Sequence, residues 1–423
     1  MTAEAKRIAQ RVIEQAGEPL IALSHRLHAD PEIAFEEVLA SGWVADWLEA
    51  AGFEVTRRLG GLPTAVAGVY GDGPLHVAII AEYDALPGVG HACGHNIICA
   101  AAVGAALALK AVADEIGLRV SLIGTPAEEG GGGKIRLLQE GAFGGVHAAM
   151  MVHPAPRDTL DPLILAAQTL EIEYTGREAH AAGAPELGIN AADAFVVAQV
   201  GIGLLRQHLP PMTRVHGIVD RGGDAPNIVP AHTSGRFMVR ARTTDELETL
   251  RHRVVACFEA GGLATGARLM VRPRVRYAHL EQDPDIMERY RLNAQALGRT
   301  FYPFAASGLG PVSTDMGDVS LALPSIHPMI GIDSLPAVNH QPEFTAAAAS
   351  PAGDLAVLDG ALAMAWTAID LALDEALRER LIEDERLRAE AAEIDGGRSP
   401  GAQDQDVLVD DVGHEAPGIA VGP

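Results

Sequence analysis

Three stretches of this sequence read as buried strands, each within a segment that ends in a loop: LHVAIIAEYDALPG from residue 75, RVSLIGTPAEEGGGG from 119 and AAMMVHPAP from 148. Between them run the helical patterns CAAAVGAALALKAVADEIG and KIRLLQEGAF. Strand, loop and helix alternate, as a mainly parallel α/β sheet requires. Each apparent strand is followed at its carboxyl end by chemistry: Asp84 after VAIIAEY, Glu128 and Glu129 after VSLIGTPA, and His153 after AAMMV. Ligands of open α/β sheets gather at that edge, so fold and candidate site are predicted together.

Two helical patterns precede this region, AKRIAQRVIEQAGEPLIALSHRLH and EEVLASGWVADWLEAAG, the second ending at Gly52. From about Leu170 the pattern changes to strands and helices in the order of an α+β sandwich, an antiparallel sheet with two helices. The chain then returns to helix and strand, with MERYRLNAQALG, SIHPMIGI and one long final helix. The organisation expected is a catalytic domain in two parts, 1–168 and 281–394, an inserted ferredoxin-like domain over 169–280, and a disordered acidic tail over 395–423.

With 423 residues, 48% of them apolar, the chain can bury the cores of two domains. Its net charge of -24 argues against nucleic acid or an anionic membrane as a partner. Part of that charge is local, since residues 374–423 hold 14 acidic and 5 basic side chains. The N-terminus mixes charges through its apolar positions and no run of about 18 apolar residues is apparent. The expectation is a soluble, cytoplasmic protein. Its cysteines, Cys93, Cys99 and Cys257, are too few for a disulfide scaffold and are read as reduced, with Cys99 and Cys257 in apolar helical patterns.

Residues 90–96 read GHACGHN. His91, Cys93 and His95 match no standard zinc-finger spacing, and a metal site, a reactive thiol and a chance turn all remain open on this stretch alone. Thiolate and imidazole are both good ligands for zinc-like metals, and the flanking glycines allow Cys93 and His95 to aim at one point. In PAEEGGGG, adjacent glutamates usually form a solvated surface; placed after a strand, one can hold metal while the other moves protons. GGGGK fails as a phosphate loop, because the first required Gly is missing and Ile135 stands where Ser or Thr is needed. No G-x-S-x-G elbow and no H-x-E with P-C-x-x-C occurs. His25, His147 and His252 have no motif around them and are read as structural.

The ordered set EYDALPGVGHACGHN, GTPAEEGGGGK, MMVHPAP, YTGREAHAAGAPELGINAADA, GGDAPNIVPAHTSGRFMVRA and NHQPEFT resembles the amidohydrolase branch of the aminoacylase and dinuclear-metal exopeptidase family. Members of that branch include indole-acetyl-amino-acid hydrolases, aminobenzoyl-glutamate hydrolase and Xaa-Arg dipeptidase. The resemblance runs from about Leu20 to Asp370. It implies a zinc-exopeptidase-like catalytic domain with two divalent metals per subunit, Mn2+ or Zn2+, and an inserted lid that mediates a homodimer. By motif, Cys93, His95, Glu129, His153 and His340 correspond to the metal ligands and Glu128 to the general base. His180 is similar to a lid histidine that polarises the substrate carbonyl, Asn227 to a second lid contact, and Asp84 to the carboxylate that orients a metal-binding histidine. Many members read Asp where this chain has Asn96, a departure that tilts the substrate toward the dipeptidase and aminobenzoyl-glutamate side.

The function expected is hydrolysis of the amide bond of a small N-acyl amino acid, dipeptide or aminobenzoyl-amino acid through metal-activated water. Deamination of an aromatic amine on the same dinuclear site is the alternative, and a non-catalytic metal-binding subunit a weaker one. A substrate carboxylate is commonly held by Arg, and Arg221, Arg236 and Arg240 all lie in the inserted segment.

Overall fold

A computed structural model describes residues 1–394, and the tail expected over 395–423 lies outside the described residues. The described chain divides into two compact units, one of Met1–Ala166 with residues 277–394, the other of Ala167–Arg276. The strands are β1 (Glu54–Arg57), β2 (Val66–Tyr70), β3 (Leu75–Glu82), β4 (Leu118–Thr125), β5 (Ala148–Met150), β6 (His153–Ala155), β7 (Ala166–Thr175), β8 (Arg214–Arg221), β9 (His232–Ala241), β10 (Arg268–Tyr277), β11 (Ser325–Ile326) and β12 (Met329–Gly331). The α-helices are α1 (Thr2–Ala29), α2 (Val38–Ala50), α3 (His95–Ile116), α4 (Gly133–Gln139), α5 (Ala191–Arg206), α6 (Thr244–Thr265), α7 (Pro284–Ala296), α8 (Met316–Ala322), α9 (Pro342–Ala347), α10 (Pro351–Leu373) and α11 (Glu375–Ile394).

In the first unit six strands form a sheet in the order β1-β2-β4-β3-β5-β11. β3 pairs in parallel with β4 and β5, and β5 with β11, while β2 runs antiparallel to both of its neighbours. All eight residues of β3 are buried, because both faces of the sheet are covered. Val77, Ile79 and Ala81 pack toward Leu20 of α1, Ala101 of α3 and Ala361 of α10. Ala78 and Ile80, on the opposite face, pack with Leu137 of α4 and with Met316 and Val319 of α8.

The helical layer is tight because its contacts are small residues. A Cβ at Gly104 of α3 would stand 2.9 Å from both Ala361 Cβ and Leu20 Cδ1. The same alanine richness corrects one sequence expectation. Both α3 and α10 are long and apolar enough to cross a membrane, with mean hydropathies of 1.9 and 1.5 over 18 residues. Those windows are 83% and 72% buried in the fold, so both serve as core helices.

Three elements expected as continuous are broken. AAMMVHPAP divides into β5 and β6, and SIHPMIGI into β11 and β12, with β6 and β12 forming a separate two-stranded parallel sheet. Pro328 lies at the second of these breaks and Pro154 is the middle residue of β6, and neither can donate to a ladder. The final helix divides at Asp374, whose carboxylate accepts from Leu377 N (3.2 Å) and opens α11 as an N-cap.

The second unit runs β7-α5-β8-β9-α6-β10, and its sheet order is β10-β7-β9-β8, the ferredoxin-like arrangement. One face is closed by an aromatic cluster of Tyr174, Phe195, Phe237 and Phe258. β8 stands at the sheet edge, paired with β9 alone and exposed at seven of its eight positions. Gly104→Val should force α1, α3 and α10 apart and cost about 1–3 kcal/mol, read as a lower denaturation midpoint; an unchanged midpoint would show that this helical layer has slack.

Candidate metal centre

The first loop of the centre follows β3. The helix after it begins at His95 itself, earlier than the apolar pattern from Cys99 indicates, so Cys93 and His95 bracket the turn into α3. Gly94 makes that turn with φ 74°, and a Cβ there would stand 2.8 Å from Pro154. Its missing side chain thus admits the strand end that carries His153. Both Cys93 and His95 are buried.

The second loop, PAEEGGGG, is held at several points. Ala127 adopts φ 58°, and its N–H donates to Glu37 Oε1 (2.8 Å). Glu129 N donates to Asp84 Oδ2 (2.9 Å), while the Tyr277 hydroxyl donates to Glu128 O and accepts from Gly130 N and Gly132 N. A Cβ at Gly133 would lie 1.8 Å from Pro126 O. The glycine run is therefore a tight return from β4 into α4 and not a phosphate cradle.

His153 opens β6, where its Nδ1 donates to Pro154 O (2.9 Å), so that in the neutral ring Nε2 keeps its lone pair. His340 has φ 72° and its backbone N donates to Ala92 O (2.9 Å), which ties it to the Cys93 loop. This left-handed conformation is costly for a non-glycine residue, and it sets an exposed imidazole 3.8 Å from Glu129 Oε1.

Three groups of potential ligand atoms result, each within 4.8 Å: Cys93, His95 and His153; Cys93, Glu129 and His340; His95, Glu128 and Glu129. Cys93 belongs to the first two, so its sulfur is placed to be shared. Asp84 accepts from His95 Nδ1 (3.1 Å) through Oδ1, which turns Nε2 toward the ligand groups. That Nε2 and Glu129 Oε1 are buried with no hydrogen-bond partner. Among the described residues, the carboxylates of Glu82, Asp84, Glu128, Glu129 and Asp315 gather here around one ammonium group, that of Lys134. Sulfur, nitrogen and oxygen donors with unmet valences and excess negative charge fit divalent cations.

The protonation pattern reflects the same imbalance. Burial pushes Glu128 well above the usual carboxylate range, and the nearby Glu129, Glu82 and Asp315 push it further. Burial opposes charge on His95, yet Asp84 and Glu82 hold it at about 10. Burial, with His327 adding to it, lowers His153 to about 3, which keeps this ring neutral as a ligand must be. Burial and the adjacent Glu129 raise the Cys93 thiol.

Several residues of the site carry no signal in the motifs. Lys134, fully buried, reaches Glu82 Oε1 (2.5 Å) and Asp315 Oδ1 (2.6 Å). His327 is buried beside His153, with ring centroids 5.3 Å apart and no hydrogen bond to either nitrogen. Glu37 accepts from Phe35 N, Ala127 N and Thr64 Oγ1. The hints available to sequence reasoning are a carboxylate within the apolar run of β3 and a lysine directly after four glycines.

Other sequence candidates resolve differently. His91 is buried, stacks on His28 with centroids 6.4 Å apart, and belongs to none of the ligand groups. Asn96 faces the core, donating to Ser24 Oγ (2.8 Å) and Ala348 O (3.1 Å). It joins α3 to α1 and the segment before α10, so its contacts give no direct say over substrate. In the second unit, His180 Nδ1 accepts from Ala182 N and Gly183 N, so a neutral ring carries its hydrogen on an exposed Nε2. Asn227 adjoins it, since Ala181 N donates to Asn227 O (3.0 Å). Arg221 pairs with Asp224 and Arg236 with Asp220. His25 binds Asp354, His147 accepts from His76 N, and His252 pairs with Glu248.

The chain is 39% identical over 393 residues to mouse Xaa-Arg dipeptidase, covering 88% of this chain and 90% of the relative. It is 35% identical over 256 residues to one of the subunits of p-aminobenzoyl-glutamate hydrolase from Escherichia coli, covering 56% and 53%. The fold matches the crystal structure of the Bacillus subtilis YXEP protein, a dinuclear metal binding peptidase, with a TM-score of 0.66, 22% identity, and coverage of 84% and 99%. Residues 78–357 match Peptidase family M20/M25/M40, and this chain belongs to that family as a hydrolase of C–N amide bonds.

Proposed function

We propose that Cys93, His95, Glu129, His153 and His340 hold two divalent ions, manganese or zinc, and that Glu128 is the general base of amide hydrolysis. The observation that carries this reading is the sharing of Cys93 between two ligand groups while Glu128 stands beside His95 and Glu129 in a third. Divalent cations at such a centre supply Lewis acidity to water and to a carbonyl oxygen.

The protein's own groups divide the remaining work. Glu128 Oε2, 3.9 Å from His95 Nε2, takes a proton from the attacking water and returns it to the leaving amine nitrogen. Its buried surroundings favour the protonated carboxyl, which suits the second half of that cycle. Asp84 keeps His95 oriented, and Tyr277 with Glu37 keeps the Glu128–Glu129 loop in place. His180, with a donor on exposed Nε2, stabilises the developing oxyanion, with Asn227 as a second contact on the substrate.

The substrate class is a small N-acyl amino acid or dipeptide. The near full-length likeness to Xaa-Arg dipeptidase favours dipeptides and favours amide cleavage over release of ammonia from an aryl amine. We further propose a homodimer through the second unit. β8 is an edge strand with exposed Ile218 and Val219, and α5 exposes Val196, Val200 and Leu204 along one face. Action in the cytoplasm accords with three cysteines that are all unpaired.

Glu128→Ala should keep its metals and lose roughly two to four orders of magnitude in kcat, measured by amino-acid release from a dipeptide panel; near-normal turnover would remove Glu128 from the role of base. Chelation should abolish activity until Mn2+ or Zn2+ is restored, and Cys93→Ala should bind less metal as well as turn over more slowly; unaltered metal content in that variant would exclude sulfur ligation. Light scattering should report a dimer for the parent chain and a monomer for Val200→Glu/Leu204→Glu, and a dimer that survives both charges would place the interface elsewhere.

A further inference from the structure

Amide hydrolysis as described leaves two buried carboxylates of this centre, Glu82 and Asp315, without a task. Glu82 is the last residue of β3, completely enclosed, in a strand whose other seven residues are apolar except for the buried His76. Burying a carboxylate at the end of a core strand is costly unless it meets compensating positive charge. Lys134 supplies part of that compensation at Oε1, at 2.5 Å, and is itself shared with Asp315 at 2.6 Å. Two carboxylates therefore divide one ammonium, and a negative charge is left over on this side of the site.

Glu82 Oε2 points to the same place as the ligand nitrogen of His95. The two atoms are 3.4 Å apart, both are buried, and neither has a hydrogen-bond partner. His95 Nδ1 is already engaged by Asp84, so Nε2 is the atom offered to an ion. Two donors on one tetrahedral ion, each about 2.0–2.2 Å from it, stand about 3.4 Å from each other. We propose that Glu82 is a further metal-binding residue of this centre, held in place by its ion pair with Lys134. This rests on the reading of the site as a metal centre and adds to it a carboxylate from the strand itself.

The competing explanation is that Glu82 only balances charge within the Lys134 and Asp315 network. Two near-isosteric variants separate the cases. Glu82→Gln leaves Lys134 paired with Asp315, and Asp315→Asn leaves Lys134 paired with Glu82, so each retains one buried ion pair. Cobalt(II) would be titrated into the metal-free full-length protein, following stoichiometry by calorimetry and the visible d–d spectrum, with thermal unfolding of the metal-free forms as the check on folding. The proposal expects Glu82→Gln to weaken one of the two cobalt ions by about tenfold or more and to change the spectrum, while Asp315→Asn titrates close to the parent. Parent-like binding by Glu82→Gln, or equal losses in both variants, would overturn it. A parent protein that takes up no cobalt would overturn the metal-centre reading itself, and this proposal with it.

Discussion

Carboxylates repel one another when water is excluded, and this protein gathers five of them beside the parallel strands of one mixed sheet. Glu82, Asp84, Glu128 and Asp315 are buried, Glu129 is nearly so, and Lys134 is the one ammonium group set among them in the described residues. Each unit of charge left uncompensated in such surroundings is severely unfavourable. His95 responds by holding a proton to about pH 10, and Glu128 responds by favouring its own. Both responses mark where positive charge is wanted. Divalent cations bring more of it than protons do, and the thiol and imidazoles nearby are the donors that would bind them.

The fold concentrates these groups by ordinary means. Parallel strands β3, β4 and β5 end at the same edge, so the loops after them deliver Asp84, the Glu128–Glu129 pair and His153 to one place. Fine placement comes from a few backbone features. Gly94 lets Pro154 approach, and the left-handed backbone at His340 aims an imidazole from a separate segment. Asp84 then ties two of the loops through one carboxylate, binding His95 with one oxygen and Glu129 N with the other.

Much of this is legible in the sequence because its signals are local. A strand of apolar residues followed at once by a carboxylate or imidazole announces both the sheet and the candidate site, and Asp84, Glu128, Glu129 and His153 stand out in that way. The residues that sequence reasoning misses act across the chain. Lys134 looks like the end of a failed phosphate motif until the fold brings it to Glu82 and Asp315, 52 and 181 positions away. Tyr277 and Glu37 touch the Glu128–Glu129 loop from distant segments, and no spacing rule joins them to it. Asn96 is the converse case: its place in the motif suggests substrate choice, but its amide is spent on Ser24 and Ala348 inside the core. The broken strands stay hidden because an apolar run does not reveal which sheet each half joins.

The central claim is that two divalent ions are seated on Cys93, His95, Glu129, His153 and His340. The most direct measurement is a crystal structure of the zinc-loaded protein with anomalous data collected on both sides of the zinc absorption edge. Two zinc peaks about 3.5–4 Å apart are expected, with the Cys93 sulfur within bonding distance of both. A single peak, or zinc bound away from these residues, would contradict the claim.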